Sequence, residues 1–138
     1  MTAPVATHRR LATGPVRVLR SLGVALLAVM SWIHLDLWLA GYRSIDVIGP
    51  AFLFNAVAGS GLAALLLLVP RALLPWVAAL GALTALGTLT GLLLSTTVGL
   101  FGFVETTAAA LWWESFWVEV ATVVVLTALA LVTRPRLT

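Results

Sequence analysis

A chain of 138 residues that is 62% hydrophobic and 9% charged carries far less charge than the roughly one quarter found in soluble domains, and no soluble fold this small hides so much apolar surface. Its net charge of +3 comes from arginines beside apolar runs, with no basic domain interleaved with stacking aromatics, which excludes nucleic acid as a partner. Cysteine is absent, which removes disulfides, iron–sulfur clusters and thiol nucleophiles together.

Residues 1–17 hold Pro4, Gly14, Pro15 and several Thr and Arg without apolar periodicity, and predict a tail. A first span is expected over about 19–40, ended by Gly41-Tyr42-Arg43-Ser44. Trp38 precedes Ala40 where a signal-peptide cleavage site needs a small residue, so this segment reads as a retained span. Span two is expected over 48–69, opened by Gly49-Pro50 and closed by Pro70-Arg71. Proline in a first turn forfeits no helical hydrogen bond.

The apolar stretch after Arg71 runs on to Val104, too long for one untilted crossing of ~30 Å of hydrocarbon. Ser95-Thr96-Thr97-Val98-Gly99 is the expected end of a third span over 73–95, leaving Leu100 to Val104 as an interfacial loop or short re-entrant piece. The fourth span is expected over 112–132, followed by Thr133-Arg134-Pro135-Arg136. Spans one and two share no pattern with spans three and four, so an inverted-repeat transporter is not supported.

Arg9, Arg10, Arg17, Arg20, Arg71, Arg134 and Arg136 all fall on one side of these spans, and Arg43 alone on the other. Arginine retained on the cytoplasmic side fixes topology. The expected fold is therefore an all-α, integral-membrane, four-helix antiparallel bundle of the cytoplasmic membrane, with both termini inside and the lipid bilayer as its first partner. Trp32, Trp38, Tyr42, Trp112, Trp113 and Trp117 gather toward the outer leaflet and Trp76 lies at the inner one, as interfacial anchors do. Two sets of small residues, Gly87-x-x-x-Gly91 on span three and Ala56, Ser60 and Ala64 on span two, are candidate close-approach faces.

His34, Asp36, Asn55 and Glu119 lie inside spans, where a charged side chain costs ~2.5–3.5 kcal/mol on insertion scales. All four fall at one depth, roughly 6 to 11 Å below the outer surface at 1.5 Å per residue. Thr88 and Ser95 add hydroxyls near that level. His34 and Asp36 point about 200° apart around their helix, and Asp36 shares a face with Arg43. His34, Asn55 and Glu119 thus form the expected inward cluster, with a His34–Glu119 contact across spans one and four. Three roles stay open for it: a structural pair that holds two helices in register, a binding or proton-handling site, or separate water pockets.

A bis-histidine haem needs two imidazoles, and His34 is the one histidine within a span. His34 and Glu119, with Asp36, Glu105 or Glu114, offer a mixed donor set for a metal, yet no ligand spacing marks one. No nucleophile motif accompanies His34. Arg43 is expected to pair with Asp36, Asp46, Glu105 or a lipid phosphate.

The stretches His34-Leu-Asp-Leu-Trp38, Gly41-Tyr42-Arg43-Ser-Ile45, Ile48-Gly49-Pro50, Phe52-Leu-Phe-Asn55, Pro70-Arg71 and Gly99-Leu-Phe-Gly-Phe-Val-Glu105 resemble a set of uncharacterised actinobacterial four-span membrane proteins. The resemblance covers most of the chain, implies the same architecture, and directs attention to Tyr42 and Arg43. Three functions are expected, in this order. The first is a non-enzymatic accessory subunit that interacts with other membrane proteins or with itself. The second is a small binding or transport module whose outward pocket, lined by His34, Asn55 and Glu119, takes a cation, proton or small polar ligand. The third is a redox subunit that shares a haem or quinone site through His34.

Overall fold

The computed structural model describes residues 13–135. His8, Arg9, Arg10 and Arg136, together with most of the expected tail, lie outside them. Four helices make up the fold: α1 (Thr13–Ala40), α2 (Ile48–Leu68), α3 (Leu74–Thr97) and α4 (Trp112–Thr133). All four are long and apolar enough to cross a membrane. The sequence places the helix ends to within a few residues, with one substantial difference. α1 begins at Thr13, so residues 13–17 are helical and Pro15 sits in the first turn, where its missing N–H costs nothing.

The local chemistry explains the other boundaries. Pro50 and Pro75 also occupy first turns, and Pro70 and Pro135 follow the last turns of α2 and α4, because proline opens helices and stops them. Just past the end of α3, Gly99 has a φ of +85° and its amide bonds the Leu94 carbonyl at 2.9 Å. The Leu94 carbonyl also accepts the Val98 amide at 3.0 Å, and a glycine in this left-handed conformation just past the last turn is a common helix stop. Threonine hydroxyls along the spans, including Thr84, Thr90, Thr97, Thr122 and Thr133, bond carbonyls one turn back. They are therefore satisfied within their own helix and need no water.

The helices form a ring in the order α2, α1, α4, α3. The pairs α1–α2, α3–α4 and α1–α4 pack closely, whereas the α2–α3 seam is loose. Leu27, Leu66, Leu74, Ala78, Ala85, Leu126 and Leu129 fill the centre with no exposure. Leu126 of α4 is the wedge: its methyl carbons stand 2.5 and 2.6 Å from where a Cβ would project at Gly23 of α1 and Gly81 of α3. Small residues admit such close approach in membrane bundles, but the glycines that do so here are not those the spacing singled out. Gly87, Ser60 and Ala64 are exposed, and only Ala56 of the candidate stripe is buried. The outer surface carries Phe54, Val57, Leu67, Leu68, Leu83 and Val124, each more than half exposed. A belt of this kind is stable in hydrocarbon and not in water.

One end of the bundle carries the start of α1, the end of α4 and the turn at 69–73; the other carries the 41–47 connection and the 98–111 loop. At the terminal end, Arg20 of α1 donates to the last carbonyls of α2, to Leu66 through Nε and to Leu67 and Val69 at 3.0 and 2.9 Å through its terminal nitrogen. A cation on the C-terminal carbonyls of a helix complements its dipole. Arg20 is thus a helix cap.

Candidate ligand-binding site

The loose α2–α3 seam opens a cavity of about 290 Å³ in the half of the bundle nearest the loops. α1 contributes His34 and Leu37, α2 contributes Ala51, Phe52 and Asn55, and α3 contributes Thr84, Gly87, Thr88, Gly91 and Ser95. α4 adds Trp112, Ser115 and Glu119, while Tyr42, Leu100, Phe103 and Glu105 come from the loops. The wall is mostly apolar, and its polar groups are few and specific, as in small-molecule pockets generally.

His34 and Glu119 face each other across α1 and α4, with Nε2 3.8 Å from Oε1. They are 4% and 1% exposed, so both are withdrawn from bulk solvent. The other ring nitrogen, Nδ1, lies 2.8 Å from the Met30 carbonyl. A carbonyl only accepts, so Nδ1 carries the proton of that bond. At 3.8 Å the Nε2 contact is an ion-pair distance and not a hydrogen bond. Oε2 of Glu119 is buried with no hydrogen-bond partner, the sole such side-chain atom among the described residues. An orphaned buried polar atom costs about 1–3 kcal/mol and calls for an explanation.

Asn55 lines the same cavity, but its bond crosses the seam and not the bundle. Thr88 Oγ1 lies 2.8 Å from Asn55 Oδ1 and 2.9 Å from the Thr84 carbonyl. The expected triad of His34, Asn55 and Glu119 is therefore a pair on the α1–α4 side with a separate amide–hydroxyl bridge between α2 and α3. Measured along each helix, these groups lie about 9 to 14 Å inside the loop end at 1.5 Å per residue. Ser95 also lines the cavity, its hydroxyl bonded to the Leu92 carbonyl at 2.9 Å.

The loops close the cavity over. Gly41 turns the chain at a φ of +141°, and residues Tyr42–Ser44 make a short 3-10 turn packed on the start of α2. That turn is fitted against Gly49, where a Cβ would stand 2.7 Å from the Arg43 carbonyl oxygen. Tyr42 consequently points inward and stacks on Phe52 at 4.8 Å. Its hydroxyl donates to Glu105 Oε2 at 2.5 Å. On the opposite side, Phe101 and Gly102 both take positive φ and reverse the chain between Leu100 and Phe103, whose backbones exchange two hydrogen bonds. Two positive φ values in sequence are the signature of a tight primed turn. This turn aims Leu100 and Phe103 back into the cavity, and the Glu105 amide bonds the Ser95 carbonyl at 2.9 Å.

Two of the residues marked in the sequence stand apart. Asp36 is exposed on the outer face of α1 and does not line the cavity. Arg43 is also exposed and outside it, with Cζ 6.0 Å from the Trp38 ring and no ion pair to Asp36, Asp46 or Glu105. The shared face of Asp36 and Arg43 does not bring them together, because the chain leaves the helix at Gly41 and carries Arg43 off the α1 axis. Glu105 meets Tyr42 instead. Spacing does not single out Phe52, Phe103 and Trp112, since apolar and aromatic residues near a membrane interface read as anchors, nor Ser115, a lone hydroxyl with no motif around it. Trp112 is in fact buried, with its indole N–H donating to Thr96 at 3.0 Å, whereas Trp32, Trp113, Trp117 and Trp76 are exposed as anchors are.

No known protein family, curated protein or solved structure matches this chain. The site must therefore be read from its own chemistry. Among the described residues no three His, Cys, Asp or Glu side chains converge on one point, so His34 and Glu119 together offer at most two ligands to a metal. Burial and the Glu105 bond both hold the Tyr42 phenol neutral, raising its pKa above the ordinary value of 10.0. The Tyr42 phenol thus keeps the proton that it donates to Glu105.

Proposed function

We propose that this protein is a small binding or transport module of the cytoplasmic membrane, with both termini cytoplasmic and the cavity in the outer half of the bilayer. The observation that carries this reading is the cavity itself, with Glu119 Oε2 buried on its wall without a partner. A pair whose only task is to hold α1 against α4 would gain from mutual hydrogen bonding in a dry, filled contact. Here the pair stands at 3.8 Å on the wall of a cavity. That favours a binding role over a purely accessory subunit, and nothing about His34 specifically favours a shared haem or quinone. The distribution of arginine supports the orientation, and the resemblance to actinobacterial four-span proteins supports the bacterial membrane.

The chain contains no cysteine, so a single engineered thiol reports access cleanly. Ser115→Cys, on the buried cavity wall, should react in the folded protein with a small methanethiosulfonate reagent. Gly87→Phe, filling the seam, should slow that reaction at least tenfold. A thiol at position 115 that reacts only after unfolding would show a closed, structural interior and defeat the binding reading.

A further inference from the structure

We infer that the cavity is a site for a lipophilic organic cation that enters from the hydrocarbon between α2 and α3; the inference rests on the binding reading above. Charge is the first reason. The titratable groups on the wall are His34, Tyr42, Glu105 and Glu119, and no arginine lines it. The chain has no lysine to supply one. Glu119 is 1% exposed, and its Oε2 faces no donor. His34 approaches the other oxygen, Oε1, and spends its Nδ1 proton on the Met30 carbonyl. An anion would find two carboxyl groups on the wall, with His34, already turned to Glu119, as the one basic side chain there. Helix ends do not reverse this sign, since two N-termini and two C-termini meet at the loop end and their dipoles oppose one another.

The aromatic lining is the second reason. Tyr42, Phe52 and Phe103 form one cluster, with ring centroids 4.8 Å apart for Tyr42–Phe52 and 5.9 Å apart for Tyr42–Phe103. Trp112 stands on the α4 side of the same cavity. Ring faces attract quaternary and tertiary ammonium groups, more strongly when water is excluded. A cation carrying an apolar body satisfies the carboxylate, the rings and the apolar wall together. An inorganic cation would satisfy only the first, and among the described residues no three carboxylate or imidazole side chains come together to complete its shell.

The route is the third reason. α2 and α3 make the loosest contact in the ring. Gly87 is exposed at the lip, with no atom within 4 Å of where its Cβ would be. The Asn55–Thr88 bond spans this seam, and a single neutral hydrogen bond between membrane helices is worth only about 0.6 kcal/mol. A molecule dissolved in the outer leaflet thus meets a gap held by one weak bond.

The test uses the full chain in nanodiscs with benzyltrimethylammonium and its neutral isostere neopentylbenzene, read by calorimetric titration and by competition. The cation should bind at least tenfold more tightly than the isostere. Glu119→Gln should abolish that preference, and Gly91→Phe should remove binding of both. Glu105→Gln, in the loop and outside the spans, should weaken the cation several-fold even if Glu119→Gln fails to fold. Equal affinity for cation and isostere would overturn the cation assignment while leaving an apolar site in place, as would an undiminished preference in folded Glu119→Gln. Failure of both probes to bind, together with an unreactive Ser115→Cys, would remove the binding reading and this inference with it.

Discussion

The phenol of Tyr42 and the carboxylate of Glu105 join the two loops that roof the cavity, 2.5 Å apart across 63 residues of sequence. Because Tyr42 is the only tyrosine, its ionisation can be followed directly by ultraviolet absorbance. Its folded pKa is raised above the unfolded value of 10.0, so its contribution to stability is fully present below that pH and is lost as pH rises through the folded value. Tyrosinate should appear at higher pH in the native than in the denatured protein, and Glu105→Gln should narrow the gap without closing it, since burial is the larger cause. Coincident titration curves would contradict the clasp.

Tyr42→Phe should cost about 0.5–1.5 kcal/mol, the usual net value of one hydrogen bond. It should also speed labelling of Ser115→Cys, because the roof is loosened. A stability loss with unchanged labelling would mean that the clasp does not govern access.

Glu119 separates a binding role from a structural one. Replacing it with methionine removes a buried polar group that lacks full satisfaction, so Glu119→Met should leave the melting temperature unchanged or raise it while removing the preference for a cation. A strong loss of stability would indicate that the His34 contact is what Glu119 serves. In the corresponding cycle, His34→Ala and Glu119→Gln should couple by about 0.6 kcal/mol, with about 1.7 as the ceiling seen in membrane bundles. Strict additivity would deny the contact.

Glycine substitutions should divide by location. Gly49→Ala brings its Cβ within 2.9 Å of three Arg43 backbone atoms, and backbone cannot swing aside as a side chain does. A cost of about 1–3 kcal/mol is expected from such overpacking, with displacement of the Tyr42 turn. Gly87→Ala meets nothing within 4 Å and should be neutral or stabilising by up to about 1 kcal/mol through helix propensity. Thermal unfolding of both variants in one detergent checks the pair.

Arg20→Met should destabilise the terminal end of α2 by about 1.5–3 kcal/mol, the range for hydrogen bonds from a charged group. Hydrogen exchange should rise at the last turn of α2, whose carbonyls Leu66, Leu67 and Val69 lose their donor. Protection that stays unchanged there would refute the cap.

Much of the architecture was legible in residue order because the membrane imposes simple rules. A span must be about 20 apolar residues long, proline and glycine mark where it starts and stops, and these signals located all four helices. The depth of His34, Asn55 and Glu119 was legible for the same reason, since rise per residue is fixed. Their grouping was not. Whether Asn55 turns toward Glu119 or toward Thr88, whether Arg43 finds Asp36 or Trp38, and whether Trp112 anchors in lipid or packs inside depend on helix rotation and on where each loop leaves its axis. Those rotations are set by contacts far apart in sequence, such as Leu126 between Gly23 and Gly81 and the Tyr42 turn on Gly49. Composition and order therefore determined how many helices there are and how deep each polar group lies. Packing alone decided that the α2–α3 seam stays open and that a carboxyl oxygen waits unpaired beside it, because an empty volume is a property of several surfaces failing to meet and no single segment encodes it.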